Sequence, residues 1–276
     1  MNTCNKCKMV KYCNAACKKK HRKKHKKKCD RRVAELHEEA LFKEVELEEC
    51  PICLLPMPFE TNTSTFKSCC GKCICNGCIY AMKMSEGKDL CAFCRTPPPS
   101  SEEERIERIK KLMENGDAMA FNHLGGLYLR GLSNLPQDYQ KANELYLKAG
   151  ELGCAETYGN LGNSYRLGRG VERDMKKAMF YFELAAMGGD IKARHNLACS
   201  EGEAGNLHRA FKHFMFAARA GHKESLEAIK KEYMSGISVV TKDEYANTLR
   251  AYQQRQDEMK SDERDKAEDF YRALNC

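Results

Sequence analysis

The stretch LGGLYLRGLSNLPQDYQKANELYLKAGELG (124–153) decides the fold, because the chain writes it again. It returns as LGNSYRLGRGVERDMKKAMFYFELAAMGG (161–189) and, more loosely, as LACSEGEAGNLHRAFKHFMFAARAG (197–221). Leu124-Gly125-x2-Tyr128 matches Leu161-Gly162-x2-Tyr165 and then Leu197-Ala198. Asp138-x2-Lys141-Ala142 matches Asp174-x2-Lys177-Ala178 and then Arg209-Ala210, and Gly153, Gly189 and Gly221 close the units. Gly125 and Gly162 are 37 residues apart, Gly162 and Ala198 36, and Gly189 and Gly221 32. A period in this range marks stacked helix pairs, none of which buries its apolar face alone. A fourth, divergent unit starts at Lys223. Thr241-Lys242-Asp243-Glu244 opens its second helix with a capping box, and that helix is expected to run to about Asp269.

These details resemble Sel1-like repeats, kin of tetratricopeptide repeats. The resemblance implies an α-solenoid over 116–236 and a C-terminal capping helix in 237–276, with a curved face that docks a protein segment. His123, His195, His208, His213 and His222 are scattered through it rather than gathered in a ligand pattern. The chain contains no P-loop, no G-x-S-x-G and no H-E-x-x-H. The repeat half therefore reads as a scaffold.

Ahead of the repeats, the chain reads CPIC at 50–53, CCGKCICNGC at 69–78 and CAFC at 91–94, nine of the 17 cysteines in 45 residues. Zinc takes four thiolate or imidazole ligands in a tetrahedron, and each Cys-x-x-Cys turn supplies two. Three such pairs and the spare cluster Cys69, Cys70 and Cys73 suffice for two closed sites. Order and spacing resemble a RING finger over 49–96. The resemblance implies a cross-brace: Cys50, Cys53, Cys75 and Cys78 hold one ion, and Cys91 and Cys94 hold the other with two ligands from the middle cluster. Lys72 stands where that family carries a histidine. Cys70 is then joined by either Cys69 or Cys73, giving an all-cysteine second site. The same resemblance gives Ile52 and Pro97 as contacts for a ubiquitin-conjugating E2 enzyme, and Arg95 as a cation bridging E2 and ubiquitin.

Residues 4–29 read CNKCKMVKYCNAACKKKHRKKHKKKC. Tyr12-Cys13-x3-Cys17 followed by His25-x3-Cys29 resembles the second part of a MYND zinc finger, covering 1–30. The resemblance implies that Cys4, Cys7, His25 and Cys29 complete one site and that Cys13 and Cys17 belong to another. The remaining two ligands of that second site would lie upstream of Cys4. Either the sequence is truncated at its start, or the site is incomplete or borrows His21. Three zinc ions are expected in all, four if His21 helps to close that site. Arg22 stands where the family carries a tryptophan that helps peptide docking.

The formal net charge of +8 is a local property. Residues 1–32 carry 14 Lys and Arg against one Asp, while 33–276 carry 33 basic against 38 acidic residues. Nine of the eleven residues 18–28 are Lys or Arg, without an interleaved aromatic. That run suits a solvated face, a nuclear import signal or weak, non-specific contact with nucleic-acid phosphate, and offers no platform for base stacking. Residues 31–48 read as an exposed connecting helix, and TPPPSS (96–101) as a stiff extended link leading into a helix that begins at a Ser101–Glu104 capping box and ends by 115.

No apolar leader opens the chain, and no run approaches the roughly 18 apolar residues of a membrane span. Clustered cysteines without a secretory signal point to metal ligands in a reducing compartment, cytoplasm or nucleus. The whole reads as a mainly α protein: a Sel1/TPR-like solenoid behind MYND-like and RING-like zinc modules. Two functions fit. One is an E3 ubiquitin ligase that recruits a charged E2 and holds substrate on the repeats. The other is a non-enzymatic protein–protein interaction adaptor.

Overall fold

The computed structural model describes residues 2–3, 11–12, 15–43, 48–58, 63–86, 89–236 and 239–274; for 2–3, 11–12, 15–24, 86 and 274 the description is of the backbone. The chain divides into two compact units, 1–45 and 46–276. In the first, β1 (Asn2–Thr3) pairs antiparallel with β2 (Lys11–Tyr12), and α1 runs unbroken from Ala15 to Leu41. The basic run and the connector, read from sequence as separate pieces, are one 27-residue helix. No glycine or proline interrupts it, and lysine, arginine, alanine and glutamate are strong helix formers. Its second half is laced by Arg31–Glu35 (3.0 Å), Arg32–Glu35 (3.2 Å) and Arg32–Glu39 (2.8 Å).

The second unit opens with the cysteine-rich module. β3 (Ser64–Lys67) and β4 (Lys72–Cys75) form an antiparallel hairpin, and α2 (Asn76–Glu86) follows directly. Its core is small: Ile74, Cys50, Cys75 and Cys91 are buried together, with Met57, Ile79 and Cys53, Cys69, Cys70, Cys78 and Cys94 packed around them. Ser101 caps α3 (Glu102–Glu114) by accepting from the Glu104 backbone N–H. The expected box is only half made, because the Glu104 carboxylate instead accepts from the Ser100 backbone N–H (2.7 Å) and hydroxyl (2.6 Å).

The repeats follow as antiparallel pairs: α4 (Ala118–Arg130) with α5 (Tyr139–Glu151), α6 (Glu156–Leu167) with α7 (Met175–Met187), and α8 (Ile191–Glu203) with α9 (Leu207–Arg219). The repeated glycine now has a cause. A Cβ on Gly125 would lie 2.8 Å from the Tyr146 ring, and one on Gly162 2.5 Å from the Phe182 ring. Tyr146 of α5 and Phe182 of α7 thus fill the space that a side chain on the first helix of each pair would take. Asp138 and Asp174, the repeated acids, cap α5 and α7. α10 (Lys223–Ser235) and α11 (Lys242–Met259) make the divergent fourth pair, and Thr241 and Glu244 form the full capping box.

The last helix does not run through to Asp269. It stops at Met259, Lys260 is extended, and α12 (Asp262–Leu274) starts again. Ser261 terminates one helix and begins the next, its hydroxyl and carbonyl accepting from the Arg264 N–H. The break turns α12 onto α2, where Phe270 meets Tyr80 at 5.4 Å between ring centroids. At the other end of the solenoid, Phe66 of β3 stacks on His123 of α4 at 4.4 Å. The cysteine-rich module thus touches both the first repeat helix and the last helix of the chain.

Candidate metal centres

Two turns of identical build carry the outer ligand pairs. In the first, the Cys50 N–H donates to Leu55 O (3.0 Å) and the Leu54 N–H to Cys50 O (2.9 Å). In the second, the Cys91 N–H donates to Thr96 O and the Arg95 N–H to Cys91 O, both at 2.9 Å. Leu54 (φ 57°) and Arg95 (φ 62°) occupy equivalent left-handed positions without being glycine. Such backbone costs about 1–3 kcal/mol unless the surroundings enforce it. The paired backbone hydrogen bonds of each turn hold that conformation here. Ile52 and Phe93 sit at equivalent exposed tips.

The inner pairs come from the hairpin and α2. Cys75 ends β4 and Cys78 lies in the first turn of α2, so both face the first knuckle. Cys69 and Cys70 lie in the turn between β3 and β4, facing the second. The result is two groups of four sulfurs, Cys50, Cys53, Cys75 and Cys78, and Cys69, Cys70, Cys91 and Cys94, each with all sulfurs within 4.8 Å of one another.

The distances test the fit to a metal. A tetrahedron with Zn–S of about 2.3 Å has sulfur–sulfur edges of about 3.8 Å. Cys50–Cys78 and Cys53–Cys75 are 3.8 Å apart, Cys70–Cys91 3.9 Å and Cys69–Cys94 3.4 Å. Eight thiols in two such sets fit the donor set of a closed, four-sulfur zinc site. Cys73 is in neither set. It stands beside the start of the solenoid, where burial first and then Glu156, Glu48 and Asp117 raise its pKa to about 12.

Electrostatics without a metal show what an ion would relieve. Burial drives up the Cys69, Cys75 and Cys78 thiols, and carries Cys70 to about 11. At Cys50 and Cys94 burial acts the same way, but hydrogen bonds outweigh it. The backbone N–H groups of Cys53, Cys75 and Ile52 bring Cys50 to about 7, and the Thr96 hydroxyl and backbone bring Cys94 to about 6. Cys50 and Cys94 thus lean towards the thiolate, while Cys75 and Cys78 in the first set and Cys69 and Cys70 in the second are held as thiols that a bound cation would help to deprotonate.

Of the first unit's expected ligands, His25 and Cys29 lie one helical turn apart on α1, with Cys29 buried. Cys17 and His21 belong to the same helix, their side chains outside the described set; Cys4, Cys7 and Cys13 lie outside the described residues. The three expected E2 contacts are exposed: Ile52 at 40 %, Arg95 with Nη1 3.6 Å from Met82 Sδ, and Pro97, whose carbonyl accepts from Arg108 (2.9 Å). What sequence reasoning missed is Arg264. From α12 it donates to Pro56 O (2.8 Å), Leu55 O (3.3 Å) and the Cys53 sulfur (3.5 Å).

Part of the solenoid faces this module. A Cβ on Gly71, in the turn that carries Cys69 and Cys70, would strike the Asp117 carboxylate at the start of α4. Glu156 at the start of α6 is solvent-exposed yet crowded, and desolvation, then Asp190 and Glu48, raise its pKa to about 7. His123, between Phe66 and Arg105, is pushed down to about 4 by burial and by Arg105 and Arg130. It stays neutral and accepts from the Arg105 guanidinium 3.2 Å away. Among the described residues no helix is long and apolar enough to cross a membrane.

Comparison with known proteins agrees with this architecture. The Sel1 repeat family matches at 118–154, 155–190 and 191–222, and the MYND finger family at 1–29. The chain thus carries Sel1 repeats behind a MYND finger and a cysteine-rich module able to form a RING-like zinc site. A solved Sel1 repeat protein from Oxalobacter formigenes shares the fold, with a TM-score of 0.51 at 23% identity over 64% of this chain and 70% of that one. Two Arabidopsis thaliana proteins are similar in sequence. The ERAD-associated E3 ubiquitin-protein ligase component HRD3B is 33% identical over 97 residues, 35% of this chain and 15% of that protein. The E3 ubiquitin-protein ligase DA2 is 40% identical over 76 residues, 24% of this chain and 18% of that protein. The chain spans less than a fifth of the length of either.

Proposed function

We propose that this chain is a RING-type E3 ubiquitin ligase whose Sel1 repeats hold the protein to be modified. The observation that carries the reading is the alternation in space: the first cysteine pair shares a centre with the third, and the second with the fourth. That cross-brace leaves Ile52, Arg95 and Pro97 at the surface of one module. The names of the two Arabidopsis relatives support the same direction. Zn2+ is the expected ion, three per chain, with the third held by Cys4, Cys7, His25 and Cys29. Its task is structural: it closes the knuckles and stabilises a module with little apolar core.

The chemistry belongs to the E2. Ile52 gives its recognition surface an apolar anchor, Pro97 stiffens the adjoining loop, and Arg95 fixes the ubiquitin thioester in one pose. The module supplies orientation rather than a nucleophile, which removes the entropic cost of aligning thioester and substrate lysine. A reducing compartment, cytoplasm or nucleus, suits two open sets of thiols. The basic run 18–28 adds at most a salt-sensitive contact with nucleic acid.

Incubating zinc-loaded full-length protein with ubiquitin, E1 and a panel of E2 enzymes tests the reading. Ubiquitin chains should form with at least one E2, and Ile52→Ala or Arg95→Ala should abolish them while zinc content stays constant. Arg95→Gly is the sharper variant, because it relaxes the left-handed backbone while removing the cation. Lys72, in the place of the family's histidine, favours a second reading, the non-enzymatic adaptor; absence of chains with every E2 would establish it over the first.

A further inference from the structure

We propose that Arg264 is a positioning residue of the first zinc centre, through which the C-terminal helix and that centre hold one another in place. The inference rests on zinc filling the Cys50, Cys53, Cys75 and Cys78 set, and is independent of ligase activity.

The guanidinium is shared among four acceptors. Nη1 donates to Pro56 O (2.8 Å) and to Met259 O (2.7 Å), the latter the last carbonyl of α11. Nη2 donates to Leu55 O (3.3 Å) and to Cys53 Sγ (3.5 Å). A planar fork of N–H donors matches such a set, which lysine cannot. One group therefore ties together the end of the solenoid, the loop that closes the first knuckle, and a ligand sulfur.

The same turn of α12 presses on the other half of the centre. Gly77 lies between the ligands Cys75 and Cys78, and a Cβ there would fall 2.7 Å from Arg264 Cγ and 2.9 Å from its backbone nitrogen. Further along, Lys83 lies 5.6 Å over the Phe270 ring, and Tyr80 packs against the same ring. Thus α12 spans both ligand-bearing pieces, the knuckle at 50–56 and the start of α2.

Charge gives the contact its purpose. Four thiolates around a divalent ion leave the set with a net charge of −2, and burying it calls for donors to the sulfurs. Arg264 brings a positive charge and an N–H to Cys53. At the second centre the corresponding role falls to a neutral group, the Thr96 hydroxyl 3.2 Å from Cys94 Sγ. The two centres of one molecule therefore differ in this respect, and each controls for the other.

The test uses the full-length, zinc-loaded chain. Zinc release to a chelator is followed together with mass-spectrometric alkylation of each cysteine. Arg264→Gln should speed alkylation of Cys50, Cys53, Cys75 and Cys78 by about tenfold or more, the usual effect of losing such a partner, and leave Cys69, Cys70, Cys91 and Cys94 unchanged. Arg264→Lys, which keeps the charge but not the fork, should fall between. With cobalt(II) in place of zinc, Arg264→Gln should also move the sulfur-to-cobalt charge-transfer band to lower energy. Equal rates in variant and parent, or an equal rise at both centres, overturns the proposal. If Arg264→Gln unfolds the chain, Gly77→Ala carries the test: it displaces α12 with the guanidinium intact and should loosen the first centre alone. If the parent protein holds no metal at the first centre, the metal reading itself falls; if it holds metal that Arg264 and Gly77 do not influence, only this proposal does.

Discussion

Substituting Gly162 by alanine tests the packing rule of the repeats. The new Cβ would stand 2.5 Å from two carbons of the Phe182 ring. Ordinary carbon contact is about 3.5–4.0 Å, so something must move by about 1 Å. Phe182 is fully buried, which leaves its ring little room. Overpacking costs about 1–3 kcal/mol, and the buried ring puts this case in the upper half. Alanine returns up to about 1 kcal/mol over glycine in a helix. The net is a destabilisation of about 1–2 kcal/mol by that difference. Repeat three sets the bound: Ala198 occupies the same position there, and its ring, Phe214, is 8 % exposed where Phe182 is 0 %. Gly202→Ala is the control. Its Cβ would meet only Ala210 Cβ at 3.9 Å, so it should stabilise by about 0.5 kcal/mol. Urea unfolding of zinc-loaded protein, with amide exchange localised to α6 and α7, reads both effects. On a Phe182→Ala background the sign for Gly162→Ala should reverse, since the ring is gone. If Gly162→Ala stabilises the parent as Gly202→Ala does, the reasoning about bare helix faces is wrong.

Two further outcomes follow from the metal module and its neighbourhood. Native mass spectrometry should show one zinc fewer in Cys69→Ser than in the parent, and no change in Cys73→Ser, because only Cys69 stands among the second set of sulfurs. Glu156, with its carboxyl raised to about 7, keeps a proton in the folded state that the unfolded chain releases at its ordinary pKa of about 4.3. Stability from this group is present below that lower value and is lost as pH rises towards 7. Glu156→Gln should therefore melt with the parent near pH 4 and above it at pH 8.5; a constant difference across that range would refute the assignment.

Much of this was legible in residue order, for definite reasons. Helix pairs announce themselves because Gly125 and Gly162 must lack a side chain where the Tyr146 and Phe182 rings pack against them. Asp138 and Asp174 recur because each meets free N–H groups at the start of a second helix, α5 and α7. Spacing alone does not give the grouping of Cys50, Cys53, Cys75 and Cys78; it enters only with the resemblance to a RING finger, in which ligand pairs alternate, and the structure gathers those four sulfurs. The choice between Cys69 and Cys73 was not legible either: both are within reach in sequence, and only the hairpin register decides. Cys73 pairs with Phe66 in the strands, while Cys69 and Cys70 sit in the turn before Gly71. The end of α11 carries a local signal in Ser261-Asp262-Glu263, a hydroxyl followed by two acids as at many helix starts. The docking of α12 had none. Arg264 meets carbonyls more than 200 residues earlier, and no local pattern encodes such a meeting.

The circuit from the cysteine module through the repeats and back has a consequence for how such a chain changes over generations. An open solenoid gains or loses units by duplication or deletion, since one more copy merely lengthens the stack. Here Phe66 must still reach His123 while Arg264 reaches Pro56. Inserting a 36-residue copy would carry α12 away by the width of a helix pair, and its partner could not follow. The clasp therefore opposes a change in copy number, since this chain with one unit more or fewer would lose one of these two contacts.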